Sequence, residues 1–304
     1  MHLFSGTSNE IQQWRLADGQ EVGRQTGMNV SAISVSRDQK WVVCGTVEGA
    51  SVWDAEIRRK VVEVEGVVYV GGVDVAPDCS RFATGTDRKE ANIWNITTGE
   101  RLVGPLKHDS GVKAVRFSPD GGRIATLCYG DSPIQIFDSN DGNQLLSIEN
   151  SMIYPAPLTP IAWSTDSQRL FAISTGYKTK CFDSSTGSQL AEWQIHENGD
   201  PDNMSIALSP NNKFIASSSG RFLSFWDTST HTQLGIVEDT SQIYSIAFSH
   251  DGNRLASGAL GSGRIIIWDL SGIIPESYLP INVSIRFLRS RLTFIHHLCY
   301  SCMC

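Results

Sequence analysis

The sequence predicts an all-β fold made of seven repeated units, each a four-stranded antiparallel meander. An aromatic residue closes a short apolar phrase at separations of 39, 41, 43, 45, 44 and 42 residues, at Trp14, Trp53, Trp94, Phe137, Phe182, Trp226 and Trp268. A second phrase, in which apolar and polar residues alternate before a turn, lies upstream of the later aromatic residues. The composition, 40% hydrophobic and 19% charged with 27 Gly and 11 Pro in 304 residues, is that of a globular chain with a buried core.

The first two strands of a unit are the clearest elements. Val115–Gly121 and Ile246–Gly252 alternate apolar and polar residues and then end in an Asp-Gly turn, which predicts a strand followed by a tight turn. A second apolar phrase follows directly, as in Arg123–Thr126 and Arg254–Gly258. Two such strands joined by a tight turn form an antiparallel hairpin.

The third and fourth strands come next in each unit. The aromatic phrase, such as Ile93–Asn95, ends with Asp or Asn in six of the seven units and is the third strand. After the polar turn Asn95–Gly99, the phrase Glu100–Val103 predicts the fourth. A single meander cannot bury both of its faces, so neighbouring units must stack and enclose the aromatics between them.

The run Phe117-Ser118-Pro119-Asp120-Gly121 and the repeated Ile-Trp-Asp endings resemble the WD-repeat (WD40) β-propeller family, over about residues 2–270. The resemblance implies a seven-bladed β-propeller of four-stranded antiparallel blades, spanning residues 1–288. It assigns a structural role to the aromatics that close the repeats, Trp53, Trp94, Phe137, Phe182, Trp226 and Trp268.

The family's regular blades share a hydrogen-bonded set of His, Ser or Thr, Asp and Trp, and by resemblance this set is incomplete here. The unit ending at Phe137 has His108 and Thr126 but lacks the Trp. The unit ending at Trp226 has His196. Neither histidine has a nucleophile partner at motif spacing, which favours a structural role for both.

The two ends of the repeat region leave alternatives open. His2–Gly6 matches a second strand, so the first blade lacks its first strand. Residues 281–287 alternate like a first strand and are favoured to complete that blade. The competing interpretation makes 281–288 the outer strand of the last blade, and a third is that the chain is a piece of a longer protein. Residues 289–304 are expected to be a poorly ordered tail.

Charge and cysteine usage narrow the partners and the compartment. Twenty-five Lys and Arg against 32 Asp and Glu give a net charge of −7, which disfavours nucleic acid as the principal partner. Seven cysteines, an odd number, favour a reducing compartment, and no signal segment follows Met1. No uncharged apolar stretch is long enough to span a membrane. The predicted location is the cytoplasm, with the nucleus left open.

The motif search predicts no enzyme, cofactor or metal. Phosphate-loop, nucleophile-elbow, zinc-protease and calcium-loop patterns are absent from the sequence. Gly261–Gly263 joins two strands and is interpreted as a turn, and the soft ligands of His296–Cys304 lack a second pair at zinc spacing. Asp74 is the one carboxylate that the first strands offer, and a single carboxylate cannot form an acid–base pair.

The predicted function is a non-catalytic platform that binds other proteins or peptides, as a monomeric propeller within a complex. One alternative is a regulatory or sensor propeller derived from a larger signalling protein; a less favoured one is an enzyme with its site in the central channel. Arg and Tyr in loops suit recognition. The predicted interaction face consists of Arg88, His108, Tyr129, Tyr177, Arg221 and Tyr244.

Overall fold

Seven antiparallel sheets follow one another along the chain in the computed structural model, which describes residues 2–6, 10–15, 18–27, 29–150, 160–195, 204–259 and 264–280 and the backbone of 293–295. Each sheet is a meander, because strands adjacent in sequence are also hydrogen-bonded neighbours. The predicted fold class, an all-β seven-bladed propeller, is confirmed. We number the sheets blade one to blade seven in chain order.

The strand bounds match the predicted phrases. Blade one contains β1 (His2–Gly6), β2 (Glu10–Arg15) and β3 (Glu21–Thr26). Blade two contains β4 (Val30–Val35), β5 (Trp41–Thr46), β6 (Ala50–Asp54) and β7 (Arg59–Val64). Blade three contains β8 (Val70–Val75), β9 (Arg81–Thr86), β10 (Glu90–Asn95) and β11 (Arg101–Lys107). Blade four contains β12 (Val112–Phe117), β13 (Arg123–Cys128), β14 (Ile134–Asp138) and β15 (Gln144–Ile148).

The remaining blades follow the same pattern. Blade five contains β16 (Ile161–Trp163), β17 (Arg169–Ser174), β18 (Lys178–Asp183) and β19 (Gln189–Gln194). Blade six contains β20 (Ser205–Leu208), β21 (Phe214–Ser219), β22 (Phe222–Asp227) and β23 (Gln233–Glu238). Blade seven contains β24 (Ile243–Phe248), β25 (Arg254–Ala259), β26 (Arg264–Asp269) and β27 (Thr293–Ile295). A 3₁₀ helix spans Glu276–Tyr278.

The chain divides into two compact units. The first contains blades one to four and the turn Asp183–Ser188, and the second contains blades five to seven. Within the described residues, no helix has the length and hydrophobicity needed to cross a membrane.

The apolar core of the first unit lies between consecutive blades. Val62 and Val64 of β7 pack in one buried cluster with Phe82 of β9 and Trp94 of β10. The fourth strand of blade two therefore covers the aromatic of blade three. This arrangement explains the repeat, because an aromatic once per blade fills the space that two twisted sheets leave between them.

Short polar residues fix the turns between the third and fourth strands. The carboxylate of Asp183 accepts hydrogen bonds from the backbone N–H groups of Ser185 and Thr186, each at 2.9 Å. Asn95 makes the same pair of bonds in blade three. In the turns that follow β2, β6, β10, β14, β18 and β22, the residue four positions after the last strand residue has a positive φ. These residues are Gly19, Arg58, Gly99, Gly142, Gly187 and His231.

The chain ends differ from the regular blades. Blade one has three strands in the described residues, as predicted for a unit without its first strand. The fourth position of blade seven holds β27, which pairs with β26 from Arg264 to Ile266. Residues 281–288, for which a closing strand and an outer strand are the alternatives, lie outside the described residues, so both stay predictions.

Candidate interaction surfaces

Three of the predicted interaction residues lie on adjoining loops of the first unit. Arg88 is exposed in the turn between β9 and β10, and His108 follows β11 directly. The His108 backbone N–H donates to the carbonyl of Lys89 at 3.0 Å, which joins the two loops. Tyr129 follows β13, and its backbone N–H donates to the Gly111 carbonyl at 2.9 Å. We call Arg88, Lys89, His108 and Tyr129 the loop cluster.

The tyrosine ring of the loop cluster packs closely against its neighbours. A Cβ atom added to Gly111 would lie 3.1 Å both from Cδ2 of Tyr129 and from Cα of Asp87, so glycine permits this approach. The Lys113 ammonium lies 5.6 Å from the centre of the Tyr129 ring, within the range of a cation–π contact. The ring is half-buried, and its orientation is held from two sides.

His108 has a structural place in this cluster. Its Nδ1 lies 2.9 Å from the Leu106 carbonyl, which can only accept, so Nδ1 carries the proton in the neutral ring. Its Nε2 then accepts from the Thr126 hydroxyl at 2.8 Å. The ring stands edge-on to Phe137, with centroids 5.5 Å apart. Burial lowers the pKa of His108, which favours this neutral form.

The other three predicted residues lie in the second unit. Arg221 is exposed in the turn between β21 and β22 and forms an ion pair with Glu238 at 2.9 Å. Tyr244 is half-buried on β24, next to Ile243, whose N–H donates to the Gly220 carbonyl at 2.7 Å. Arg221 and Tyr244 are therefore close along adjoining segments. Tyr177, half-buried with a φ of 59°, packs against the apolar cluster of blades five and six.

A buried ion pair, which the sequence pattern does not reveal, joins the end of blade six to blade seven. Asp239 follows β23 as His108 follows β11, and its carboxylate pairs with the Arg264 guanidinium. The Asp239 side chain is fully buried and Arg264 also donates to the Thr240 hydroxyl at 2.7 Å. Among the described residues, Asp239 Oδ2 and Arg264 Nε have no hydrogen-bond partner. At the repeat position where blade four binds His108 through Thr126, blade seven therefore binds Asp239 through the opposite charge of Arg264.

Asp74, the carboxylate of the first strands, links three blades of the first unit. Its Oδ1 accepts from the Ser34 hydroxyl at 3.2 Å, and its Oδ2 accepts from the Phe117 N–H at 2.8 Å. The Arg116 guanidinium lies 4.0 Å away. Burial raises the pKa of Asp74, opposed by Arg116 and the hydrogen bonds. These contacts make Asp74 a connector between β4, β8 and β12.

A shallow cleft opens between blades one and two, at a place the sequence analysis did not predict. Its lining combines apolar and polar groups, including Phe4, Gln13, Gly23, Trp53 and Arg58. Trp53 is half-buried here, and its Nε1–H donates to the Ser51 hydroxyl at 2.9 Å.

Smaller and more polar residues account for this cleft. In blade two, Val52 of β6 pairs with Val62 of β7, and both are buried against blade three. The corresponding pair in blade one is Gln13 with Gly23, so the aliphatic layer is missing. On the facing blade, Val42 stands where blade three has the larger Phe82. Less side-chain volume between two sheets leaves space beside the aromatic.

Comparison with known proteins agrees with the fold and the repeats. The sequence profile of the family described as "WD domain, G-beta repeat" matches residues 101–138, 187–227 and 231–269. A crystal structure of the computationally designed Ika8 protein superimposes with a TM-score of 0.68 and 20% identity, over 88% of this chain and 80% of that chain. The predicted resemblance is confirmed: three segments match the WD40 repeat profile, and the fold is a β-propeller.

Several curated proteins are similar over part of their length. "Periodic tryptophan protein 2 homolog" of Dictyostelium discoideum is 23% identical over 81% of this chain and 26% of its own length. "WD repeat-containing protein 91" of Mus musculus is 26% identical over 67% of this chain and 30% of that protein. "Eukaryotic translation initiation factor 3 subunit I" of Emericella nidulans is 28% identical over 54% and 49%, respectively. The chain spans less than half the length of each.

Proposed function

We propose that this protein is a non-catalytic platform for protein–protein interactions, acting as a monomeric propeller within a complex in the cytoplasm or nucleus. The observation that carries the proposal is the loop cluster, where an exposed Arg88 and the held ring of Tyr129 lie on adjoining loops. Arginine and tyrosine are enriched at the energetic centres of protein interfaces. A ring that is already ordered loses little side-chain entropy when a partner binds.

The network around Asp74 supports a non-catalytic role. Its carboxylate oxygens accept from Ser34 and Phe117, groups of the neighbouring blades, and Arg116 stands beside it. A general base must reach the proton of a substrate, whereas this carboxylate is engaged in connecting strands. The relatives also support an interaction role, because one of them is named as a subunit of a translation initiation factor.

A regulatory propeller within a larger protein is the second candidate. The observation that favours it is that this chain matches 26% and 30% of the lengths of two relatives, so similar repeats occur inside longer proteins. Both candidate functions use the same binding surface. They differ in whether the propeller is covalently part of a larger regulatory protein.

A comparative pull-down tests the proposed surface. The variant carries Ala at Arg88, Tyr129, Tyr177 and Arg221, and the expected result is the loss of specific captured proteins relative to the wild type. A matched control carries Ala at four exposed fourth-strand residues, Arg59, Arg101, Gln144 and Gln189. The control should capture the same proteins as the wild type. An unchanged set with the loop variant contradicts this surface.

A further inference from the structure

The cleft between blades one and two is partly covered by a side chain in an unusual backbone conformation. Arg58 has a φ of 56° at the turn position where Gly99, Gly142 and Gly187 stand in the next three blades. A left-handed conformation is less favourable for residues other than glycine, and among these turns blade six also holds a non-glycine residue, His231, at this position.

The Arg58 side chain extends over blade one. A Cβ atom added to Gly23 would lie 2.9 Å from Arg58 Nε and 3.0 Å from its Cδ. The Arg58 carbonyl also accepts from the Gln25 side-chain amide at 2.8 Å. With the residues that the structure describes, the Arg58 guanidinium makes no hydrogen bond or ion pair. An exposed, unpaired cation therefore borders an apolar surface that includes Trp53 and Phe4.

The second unit shows how a peptide segment can occupy the corresponding place in another blade. Gly235 of β23 pairs with Phe225, just as Gly23 pairs with Gln13. The carbonyl oxygen of Ile273 lies directly over Gly235, where a Cβ would collide with it. The segment that carries this carbonyl, residues 270–280, directly follows β26, the third strand of blade seven.

Polar and aromatic contacts hold that segment on blade six. The Tyr278 hydroxyl donates to the Asp227 carboxylate at 2.5 Å, and the Tyr278 ring stands edge-on to Phe214. The Asn211 side-chain amide donates to the Tyr278 carbonyl at 2.7 Å. A glycine at this register of a fourth strand thus lies under a backbone segment that is anchored at Tyr278.

We infer that the cleft beside Gly23 is a second binding site, which takes an extended peptide carrying an aliphatic side chain next to an acidic one. Arg58 Nε and Cδ lie where a Gly23 Cβ would be, so a peptide backbone reaches β3, as the Ile273 carbonyl reaches β23, once the flexible Arg58 side chain swings aside. The aliphatic side chain packs against Trp53 and Val42, and the acidic one pairs with the Arg58 guanidinium. This site lies apart from the loop cluster and does not depend on it.

A randomised library of 12-residue peptides displayed on phage identifies the preferred sequence. The library is selected on the full-length wild-type protein and counter-selected on Gly23→Val. Valine fills the cleft as Val62 does in blade two, and the atoms it meets belong to the mobile end of Arg58 and to Gln13. The expected result is enrichment of peptides with an aliphatic residue within two positions of Asp or Glu. Absence of enrichment, or enrichment without an acidic residue, overturns the inference.

Fluorescence anisotropy of the most enriched peptide then tests the assigned contacts. Arg58→Glu should weaken binding at least about tenfold, the range of one charge-assisted pair. Arg58→Gly should weaken it similarly while keeping the fold, because glycine occupies this turn position in other blades. The matched control Lys60→Glu reverses a neighbouring exposed charge and should change the affinity less than twofold.

The loop variant separates this site from the proposed function. The protein with Ala at Arg88, Tyr129, Tyr177 and Arg221 should bind the peptide as the wild type does. Equal affinity of the wild type, Arg58→Glu and Gly23→Val contradicts a site in the cleft. Loss of binding in the loop variant alone assigns the peptide to the substituted loops and equally overturns the inference.

Discussion

At the scale of single residues, the residue that follows a fourth strand is held by the next blade in more than one way. His108, after β11 of blade three, is held through its neutral ring, which bonds Leu106 and also Thr126 of blade four. Asp239, after β23 of blade six, is held by the Arg264 guanidinium of blade seven. The same position in the repeat thus accepts either a neutral hydrogen bond or a buried charge pair, and the neighbouring residue must change with it.

The buried pair in blade seven gives a stability prediction. Asp239→Asn leaves the Arg264 charge without a counter-ion, and removal of one member of a buried pair lowers the free energy of unfolding by about 3–5 kcal/mol. The double variant Asp239→Asn with Arg264→Met removes both charges and should recover much of that loss. Urea unfolding followed by circular dichroism measures both. Equal stability of Asp239→Asn and the wild type contradicts an energetic role for the pair.

At the scale of elements, the turns between the third and fourth strands couple stability to pH. Hydrogen bonds from Ser185 and Thr186 lower the pKa of Asp183 to about 2. The unfolded carboxyl, with a pKa of about 3.9, binds a proton more readily than the folded one. The stabilisation by Asp183 is therefore complete above that value and is lost as the pH falls through about 4 towards 2.

The natural turn with Asn95 supplies the comparison. Asp183→Asn should be less stable than the wild type at pH 7, and the difference should shrink as the pH falls to 2, because the wild-type carboxyl becomes neutral. Asn95→Asp, the reverse change, should add acid sensitivity to blade three. Urea midpoints at pH 7, 4 and 2.5 measure both effects. A difference that is the same at all three pH values contradicts this account.

Much of the element pattern was predictable because local chemistry determines it. The Asp-Gly turns, the alternation of β12 and β24 and the aromatic that ends each third strand all depend on residues close in sequence. The Asp239–Arg264 pair and the cleft beside Gly23 depend instead on which residues two different strands place opposite each other. A single strand pattern does not contain that pairing, so these sites required the structure.

At the scale of the whole molecule, the first blade differs from the others in the number of strands that the structure describes. Its three strands leave β1 at one edge of the sheet, within the part of the chain that the structure describes. Unpaired edges expose backbone N–H and C=O groups and promote association. The sequence analysis favours residues 281–287 as the strand that completes this blade.

Two truncations test the predicted closing strand. A chain ending at Leu279 should melt at a lower temperature and form larger species, because three apolar side chains of 281–287 contribute about 5–9 kcal/mol before entropy is subtracted. A chain ending at Arg291 keeps 281–287 and loses β27, the fourth strand of blade seven, so it should melt below the full chain but above the chain ending at Leu279. Thermal melting and size-exclusion chromatography distinguish them. If the two truncated chains melt at the same temperature, residues 281–287 do not act as a strand.

The packing of one blade's fourth strand on the next blade's aromatic determines which stretch of sequence is exchangeable. A Cβ added to Gly99 would lie 2.6 Å from Val62 Cγ1, so the turn of blade three is fitted to β7 of blade two. The matched segment 101–138 likewise runs from the start of β11 to the end of β14. Gene duplication or grafting that copies such a stretch carries both halves of an interface together, whereas copying one complete sheet would separate them. In this protein the unit that can be copied as a whole therefore consists of the fourth strand of one blade and the first three strands of the next.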